Sequence, residues 1–446
     1  MFNNKKILIL GLARSGYSAA LILHKLNCEI IVNDYNNEDK LNKNQISELK
    51  KMNIKCIFGS HPDDLLDESF DYLIKNPGIR DNHELVKKAY ELNIPVINEV
   101  ELGYKLLPNN VTLIGITGTN GKTTTTTLTY EIMHEAFKDK VHLAGNIGYP
   151  LCSILDKVKE KDIIVMEVSV QQSVNIHDFH PHIGLLTNFS PAHIDFLDTY
   201  ENYKKTKAKM FYNQEENDIA IINLNNEEAL NELKNIKSNK KFFSSTNKTD
   251  CYLKDNIIYY NDEKVINTDI IKIPGIHNIE NILGAISIAK EFNVSNEVIE
   301  KVISNFTGVE HRLEFVREFN KVRFYNDTEA TNIKCTQIAL LSFNKPTIII
   351  LGGLERGQDF NDLKDYIKNV KAIIGIGECR ERVREFGNLL NIPTYIHEYL
   401  KDGFMDIKKI MEEGDVVLLS PASASWDQYK ECEVRGKEFK DLVNKL

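Results

Sequence analysis

Short aliphatic and β-branched runs recur along this chain. Most end in glycine or a Ser-Pro turn and lead into helical spacing. Ile7-Leu8-Ile9-Leu10 leads into Gly11 to Gly16 and then an Ala/Leu-rich stretch to Leu26. A second run, Glu29 to Val32, ends at Asp34. Val111 to Ile116 precedes TGTNGKTTTT and a predicted helix from Thr123 to about Phe137. Thr347 to Leu351 precedes GGLERGQDF and another helical pattern, and Ala372 to Ile376 and Val416 to Leu419 repeat the apolar run. Strands alternating with helices predict βαβ units and parallel sheets. Ligands of such sheets sit beyond the carboxyl ends of the strands. The polar stretch Ser238 to Asp262 reads as an excursion with short strands inside the middle of the chain.

The length of 446 residues suits three domains. Their expected bounds are 1–104, 105–305 and 306–446. Apolar residues make up 42% and charged residues 27%, an ordinary globular balance. A formal net charge of −9 disfavours a nonspecific nucleic-acid binder or a surface for anionic lipid, but leaves room for a local basic pocket. The seven cysteines are scattered and form no CxxC pair, so neither a disulfide framework nor a zinc knuckle is expected. The N-terminus lacks the apolar core of a signal peptide, and no stretch approaches the roughly 20 apolar residues of a membrane helix. A soluble cytoplasmic protein with reduced thiols is the expectation.

The sharpest chemical signal is Thr117-Gly118-Thr119-Asn120-Gly121-Lys122-Thr123, placed after a strand and before a helix. Small residues let backbone N–H groups converge on phosphate oxygens at the positive end of the helix. Lys122 supplies a cation for the β- and γ-phosphates, and the Thr123 hydroxyl suits Mg²⁺. Ile116 stands where the usual phosphate loop has glycine, so the loop is a variant. The loop Gly11-Leu-Ala-Arg-Ser-Gly16 is a weaker signal, because Ala13 replaces the middle glycine of a dinucleotide fingerprint. Strand, glycine loop, helix and Asp34 still suit a nucleotide sugar, with phosphate meeting the backbone at Ser15 and Gly16.

Other segments then fall into order: GNIG (145–148), EVS (167–169), TNFSPAHID (187–195), YKKTKAKM (203–210), PGIHNIEN (274–281), GVEHRLE (308–314), YNDTEATN (325–332), LGGLERG (351–357) and SPASASWDQY (420–429). Together these resemble the Mur ligases of peptidoglycan precursor synthesis, in particular their D-glutamate-adding members. The resemblance covers nearly the whole chain. It implies an α/β fold of three domains: a Rossmann-like N-terminal domain for UDP-sugar, a P-loop NTPase-like central domain for ATP, and a Rossmann-like C-terminal domain for the amino acid. It implies an ATP- and Mg²⁺-dependent ligase that phosphorylates the carboxylate of UDP-N-acetylmuramoyl-L-alanine and lets the amine of D-glutamate attack the acyl phosphate. The partners are then small molecules, with neither nucleic acid nor membrane, and the chain is expected to act as a monomer.

The resemblance also assigns residues. Lys122, Glu167, His193 and Lys207 form the expected catalytic set, with Thr123, Glu167, His193 and Lys207 as the metal set. Lys207 is selected from Lys204, Lys205, Lys207 and Lys209 by the family spacing from Tyr203, as a lysine carbamylated by CO₂. Carbamylation needs an unprotonated amine, so a buried lysine or one near cations is required. ATP is expected to meet Gly118, Thr119, Asn120, Gly121, Lys122, Thr123, Thr124, Asn278, Asn281, Arg312 and Asp327. The UDP-sugar is expected at Arg14, Ser15, Asp34, Gly78, Asn146 and His193, and the amino acid at Thr331, Arg356, Ser425 and Trp426.

The chain departs from the family pattern at Glu329, where a lysine is usual, at Val170 and Gln171, and at Cys432, where an aromatic is usual. A carboxylate at 329 beside an acidic third substrate needs an offsetting cation, for which Lys334 and Arg356 are the sequence candidates. Two further readings follow: a paralogue adding a different amino acid, and a non-catalytic nucleotide-sugar binder. The joint presence of Lys122, Thr123, Glu167, His193 and Lys207 weighs against the second.

Overall fold

The structure is a computed structural model that describes residues 1–191 and 194–446. His193, expected at both the metal and the UDP-sugar, lies outside the described residues. Three sheets organise the chain. The first contains β1 (Lys6–Leu10), β2 (Glu29–Asp34), β3 (Lys55–Phe58), β4 (Tyr72–Lys75) and β5 (Val96–Ile97), in the order β3-β2-β1-β4-β5. Its pairings are parallel. Successive side chains of a strand point to opposite faces. Ile7 and Ile9 therefore join Val32 and Ile74 in one cluster, while Leu8 and Leu10 join Ile31 and Leu73 in another. Both faces are buried, which is why the run is continuously apolar.

The second sheet contains β6 (Thr112–Thr117), β7 (Val141–Gly145), β8 (Ile163–Glu167), β9 (Ile183–Leu186), β10 (Ile219–Asn223), β11 (Asn239–Ser244), β12 (Cys251–Lys254), β13 (Ile257–Tyr260) and β14 (Glu263–Asn267). Its order is β14-β13-β12-β11-β10-β9-β6-β8-β7. The stretch 238–262 holds the short strands expected of it, but they belong to the sheet and are not an excursion from it. Its strands extend this sheet, β12 pairing parallel with β11 and antiparallel with β13.

The third sheet contains β15 (Glu314–Phe319), β16 (Val322–Asn326), β17 (Thr347–Gly352), β18 (Val370–Ile376), β19 (Thr394–Ile396) and β20 (Val416–Leu419), in the order β15-β16-β20-β17-β18-β19. The helical pattern expected after GGLERGQDF is a 3₁₀ helix, Phe360–Tyr366. Its buried residues Phe360 and Leu363 lie three apart, and a 3₁₀ turn stacks that spacing on one side. No helix among the described residues is long and apolar enough to cross a membrane.

The chain divides into two compact units, Met1–Ile266 with Glu280–Glu300, and Asn267–Ile279 with Lys301–Leu446. The first unit therefore holds the first two sheets. They are joined by polar contacts, several of them buried. Glu101 accepts from the backbone N–H groups of His177, Asp178 and Phe179 at 2.9–3.0 Å, and Asn98 Nδ2 donates to the Gln172 carbonyl. Glu99 Oε1 accepts from Cys152 N at 2.6 Å, and Arg14 donates to the Gly148 carbonyl at 2.6 Å.

Candidate active site

Strand β6 ends at Thr117, and the helix Lys122–Phe137 begins after four intervening residues. The loop between them needs glycine twice. Gly118 and Gly121 have φ of +146° and +80°; a Cβ at Gly118 would stand 1.8 Å from Thr187 Oγ1, and one at Gly121 2.1 Å from Asn281 Oδ1. The segment after β9 braces the loop from outside. Thr119 N donates to the Asn188 carbonyl at 2.8 Å, Asn120 N to Asn188 Oδ1 at 3.1 Å, and Thr187 Oγ1 to the Asn120 carbonyl at 2.6 Å. Lys122 Nζ donates to the Thr119 carbonyl at 2.9 Å, which keeps the cation over its own loop. Thr123 and Thr124 lie partly exposed in the first helical turn, and Asn281 Oδ1 accepts from Thr125 Oγ1 at 3.3 Å.

Glu167 is the last residue of β8, beside the loop strand. Its Oε1 accepts from Asn146 Nδ2 at 2.8 Å, whereas its Oε2 is buried without a hydrogen-bond partner among the described residues. The helix Tyr200–Tyr212 supplies Lys207, which is 1% exposed and donates to Thr117 Oγ1 at 3.3 Å. Burial, reinforced by the Lys122 charge and opposed by Glu167, holds the Lys207 amine well below its ordinary pKa. The other three lysines of the run behave differently. Lys204 and Lys205 pair with Glu201, and Lys209 donates to the Val174 carbonyl at 2.7 Å. Lys205 and Lys209 are each two residues from Lys207, about 200° around the helix, so they face away from it.

The second unit carries its own group of expected residues. Asn278 Nδ2 donates to the Pro274 carbonyl at 2.7 Å. The carboxylate of Asp327 is buried, accepting from Ser420 Oγ at 2.7 Å and Leu313 N at 3.1 Å, and burial pushes its pKa up to about 7. Glu329 meets Arg312 at 3.6 Å, so its recorded counter-charge is neither Lys334 nor Arg356. The Arg356 guanidinium instead lies over the ring of Trp426, 4.5 Å from its centroid. Thr331 is held in its turn by a backbone bond to Glu329, and the hydroxyl of Ser425 is buried with no hydrogen-bond partner among the described residues.

At the end of the first sheet, Asp34 pins the glycine loop. It accepts from Leu12 N at 2.9 Å and from Asn36 N at 2.9 Å. A cavity of about 530 Å³ opens there, lined by Gly11, Asp34, Tyr35, His61, Asn76 and His83 among others. Gly78 N donates to Asn76 Oδ1 at 3.0 Å, which closes the turn beside it. Arg14 and Ser15 open the following helix, Arg14–Lys25. His61 and His83 stack edge to face, 4.8 Å apart, and burial together with the His61 charge lowers the His83 pKa.

Comparison with known proteins decides the family. The description "Mur ligase MurD-like, N-terminal domain" matches residues 5–98, and "Mur ligase middle domain" matches 116–289. The UDP-N-acetylmuramoylalanine–D-glutamate ligase of Enterococcus hirae is 44% identical, over 99% of this chain and 96% of its own. The enzyme of that name from Listeria monocytogenes serotype 4b is 41% identical, over 100% of this chain and 98% of its own. The chain belongs to the Mur ligase family.

Solved Mur ligases share the fold at low identity. The UDP-N-acetylmuramate-alanine ligase MurC of Thermotoga maritima has a TM-score of 0.57 at 16% identity, covering 99% of both chains. A MurF ligase from the same organism, in complex with ADP, has a TM-score of 0.58 at 16% identity, covering 93% of this chain and 95% of its own. This Mur ligase therefore has the three-sheet α/β architecture expected from its sequence.

The donor set fits an ATP-bound divalent cation. The orphaned Oε2 of Glu167 is an oxygen ligand in want of a positive partner, and Thr123 lies in the first helical turn of the loop beside it. Sequence reasoning missed His61, His83 and Tyr35. The two histidines lie 22 residues apart, and only the sheet topology brings them together.

Proposed function

We propose that this Mur ligase joins D-glutamate to UDP-N-acetylmuramoyl-L-alanine, converting ATP to ADP and phosphate. A carboxylate oxygen of the L-alanyl group attacks the γ-phosphorus and ADP leaves. The amine of D-glutamate then attacks the acyl carbon, phosphate leaves, and the amine gives up its proton as the amide forms. The observation that carries the reading is the buried amine of Lys207, its pKa held well below the ordinary range by burial and by the charge of Lys122, beneath the phosphate loop. A lowered pKa favours the neutral amine, the form that takes up CO₂ and becomes an anion.

Mg²⁺ would be held by Thr123, Glu167, His193 and the Lys207 carbamate, and would neutralise charge as two anions approach. Without cations that approach is opposed by several kcal/mol in a desolvated site. Lys122 faces the transferring phosphate. Gly118, Thr119, Asn120, Gly121 and Thr124 wrap the phosphates, and Asn278, Asn281, Arg312 and Asp327 serve the rest of the nucleotide. Arg14, Ser15, Asp34, Gly78, Asn146 and His193 receive the UDP-sugar, while Thr331, Arg356, Ser425 and Trp426 receive the amino acid. Domains 1–104, 105–305 and 306–446 divide these tasks in a monomer working in the cytoplasm.

One observation favours a second reading. Glu329 stands on the third-substrate loop where the family carries a lysine, which suits a neutral or cationic amino acid. Purified protein given UDP-N-acetylmuramoyl-L-alanine, ATP·Mg²⁺ and a panel of amino acids, with phosphate release and product mass as readouts, separates the two. Product only with D-glutamate supports the first reading; its exclusion in favour of another amino acid replaces it.

A further inference from the structure

The helix Cys432–Asn444 buries an arginine that no expectation assigned. Arg435 is 1% exposed and heads the largest fully buried side chains among the described residues. Its guanidinium donates to three loops at the carboxyl edge of the third sheet. Nε reaches Thr328 Oγ1 at 3.0 Å, Nη2 reaches the Thr328 carbonyl and the Ser423 carbonyl at 3.1 Å each, and Nη1 reaches the Gly352 carbonyl at 3.4 Å. Thr328 passes the contact on, donating from Oγ1 to the Cys432 carbonyl at 2.9 Å. Gly353 is left without room: a Cβ there would lie 3.0 Å from Arg435 Nη1.

Two features of this arrangement point beyond packing. First, the three loops lead to the three expected amino-acid ligands: Thr328 precedes Thr331, Gly352 precedes Arg356, and Ser423 precedes Ser425. A planar fork with five donors fixes such loops against one another in a way a lysine's single ammonium does not. Second, the charge has no carboxylate within 4.0 Å among the described residues. Carbonyl dipoles satisfy its donors, and the nearby Asp427 carboxylate offsets only part of the cost of its burial, which an incoming anion would reduce further. The buried Ser425 hydroxyl, also without a hydrogen-bond partner among the described residues, marks the same edge as one that awaits a ligand.

We infer that Arg435 is a positioning residue for the incoming amino acid: it locks these three loops into one wall and keeps a buried positive charge beneath the residues that take the substrate carboxylates. The inference rests on the reading of Thr331, Arg356 and Ser425 given above. It also accounts for the tolerance of Cys432, whose carbonyl and not its thiol serves the network.

The test compares wild type, Arg435→Met and Arg435→Lys by initial-rate kinetics, with thermal melting to establish folding. Arg435→Met should raise the KM for D-glutamate by roughly tenfold to a hundredfold, with kcat also lowered, while the KM for UDP-N-acetylmuramoyl-L-alanine stays within about twofold. Arg435→Lys keeps the charge and loses the fork, and should fall between the two. A folded Arg435→Met with an unchanged amino-acid KM overturns the inference. So does one in which the amino-acid and UDP-sugar KM values rise alike, because that is a general structural loss. If Arg435→Met does not fold, Arg435→Lys decides: a severalfold rise confined to the amino-acid KM supports the inference, and no rise overturns it. If wild type ignores D-glutamate, the functional reading fails separately, and the same KM contrast is measured with the amino acid that wild type does ligate.

Discussion

Replacing Lys207 by methionine should make this enzyme more stable and nearly inactive, and pH should separate the two effects. Methionine matches the lysine stem in volume and brings no charge. Exchanging a buried charged group for an apolar one of similar size is neutral or stabilising by about 1–4 kcal/mol. Burial and the Lys122 cation hold the Lys207 pKa in the fold well below the ordinary 10.5 that the unfolded chain keeps. Between those two values the unfolded chain binds a proton that the folded chain lacks, so wild-type stability rises with pH across that window. Below the folded value the full cost of burying the ammonium is present. The advantage of Lys207→Met is therefore largest at low pH and fades as pH approaches 10.5. Melting curves in CO₂-free buffer at neutral and alkaline pH read this directly. Activity moves the other way: losing an anion that would hold the Mg²⁺ stabilising the reacting phosphate costs roughly 10²–10³-fold. Bicarbonate should activate CO₂-depleted wild type and leave Lys207→Met unchanged. A variant less stable than wild type at neutral pH, or one within tenfold of wild-type activity, refutes the reasoning.

Four further outcomes can be measured. Lys122→Ala should lower ligation by at least roughly 10²-fold at saturating UDP-sugar, since it removes a cation from the transferring phosphate. Gly118→Ala should abolish tight ATP binding in calorimetry, because the new methyl falls 1.8 Å from Thr187 Oγ1 at a φ of +146°. Burial pushes the Glu99 carboxyl up to about 7 from 4.5, so the folded state binds the extra proton and wild-type stability falls as pH rises through that interval. Glu99→Gln should flatten this loss of about 3 kcal/mol in pH-dependent denaturation. Glu329→Gln should change the KM for D-glutamate by less than about fivefold, since the half-exposed pair with Arg312 at 3.6 Å already answers the carboxylate and is worth about 0–1 kcal/mol; a hundredfold fall would mean that Glu329 faces the substrate unshielded.

The sequence was most legible where a local rule was strict. The phosphate loop announced itself because small residues between a strand and a helix have few other uses, and the strand starts follow from runs buried on both faces. Only the family resemblance set Lys207 apart from its neighbours in the sequence, and burial supplies a physical difference: one lysine of four is on the inner face of its helix. Long-range pairing was illegible. Nothing near position 329 names Arg312 as its partner, because a reverse path through β15 and β16 creates that neighbourhood. Arg435 sits in a charged helical stretch that reads as solvated surface, and its burial depends on three loops from elsewhere in the sheet. The pattern after GGLERGQDF does not tell an α-helix from the 3₁₀ segment Phe360–Tyr366, since both spacings share the i, i+3 contact.

Glu101 gives the chain a timetable. Its carboxylate is buried only because three backbone N–H groups lie 76 to 78 residues further along, with Lys105 at 3.2 Å as its cation. On the ribosome those donors do not yet exist when the first sheet is complete. At 5–20 residues per second they arrive about 4–16 s later. Until then a carboxylate must stay in water or be buried without partners, which is costly. The newborn N-terminal segment is therefore held open at this corner until the second sheet is under way, so a fragment ending near residue 105 would retain that unfinished face permanently.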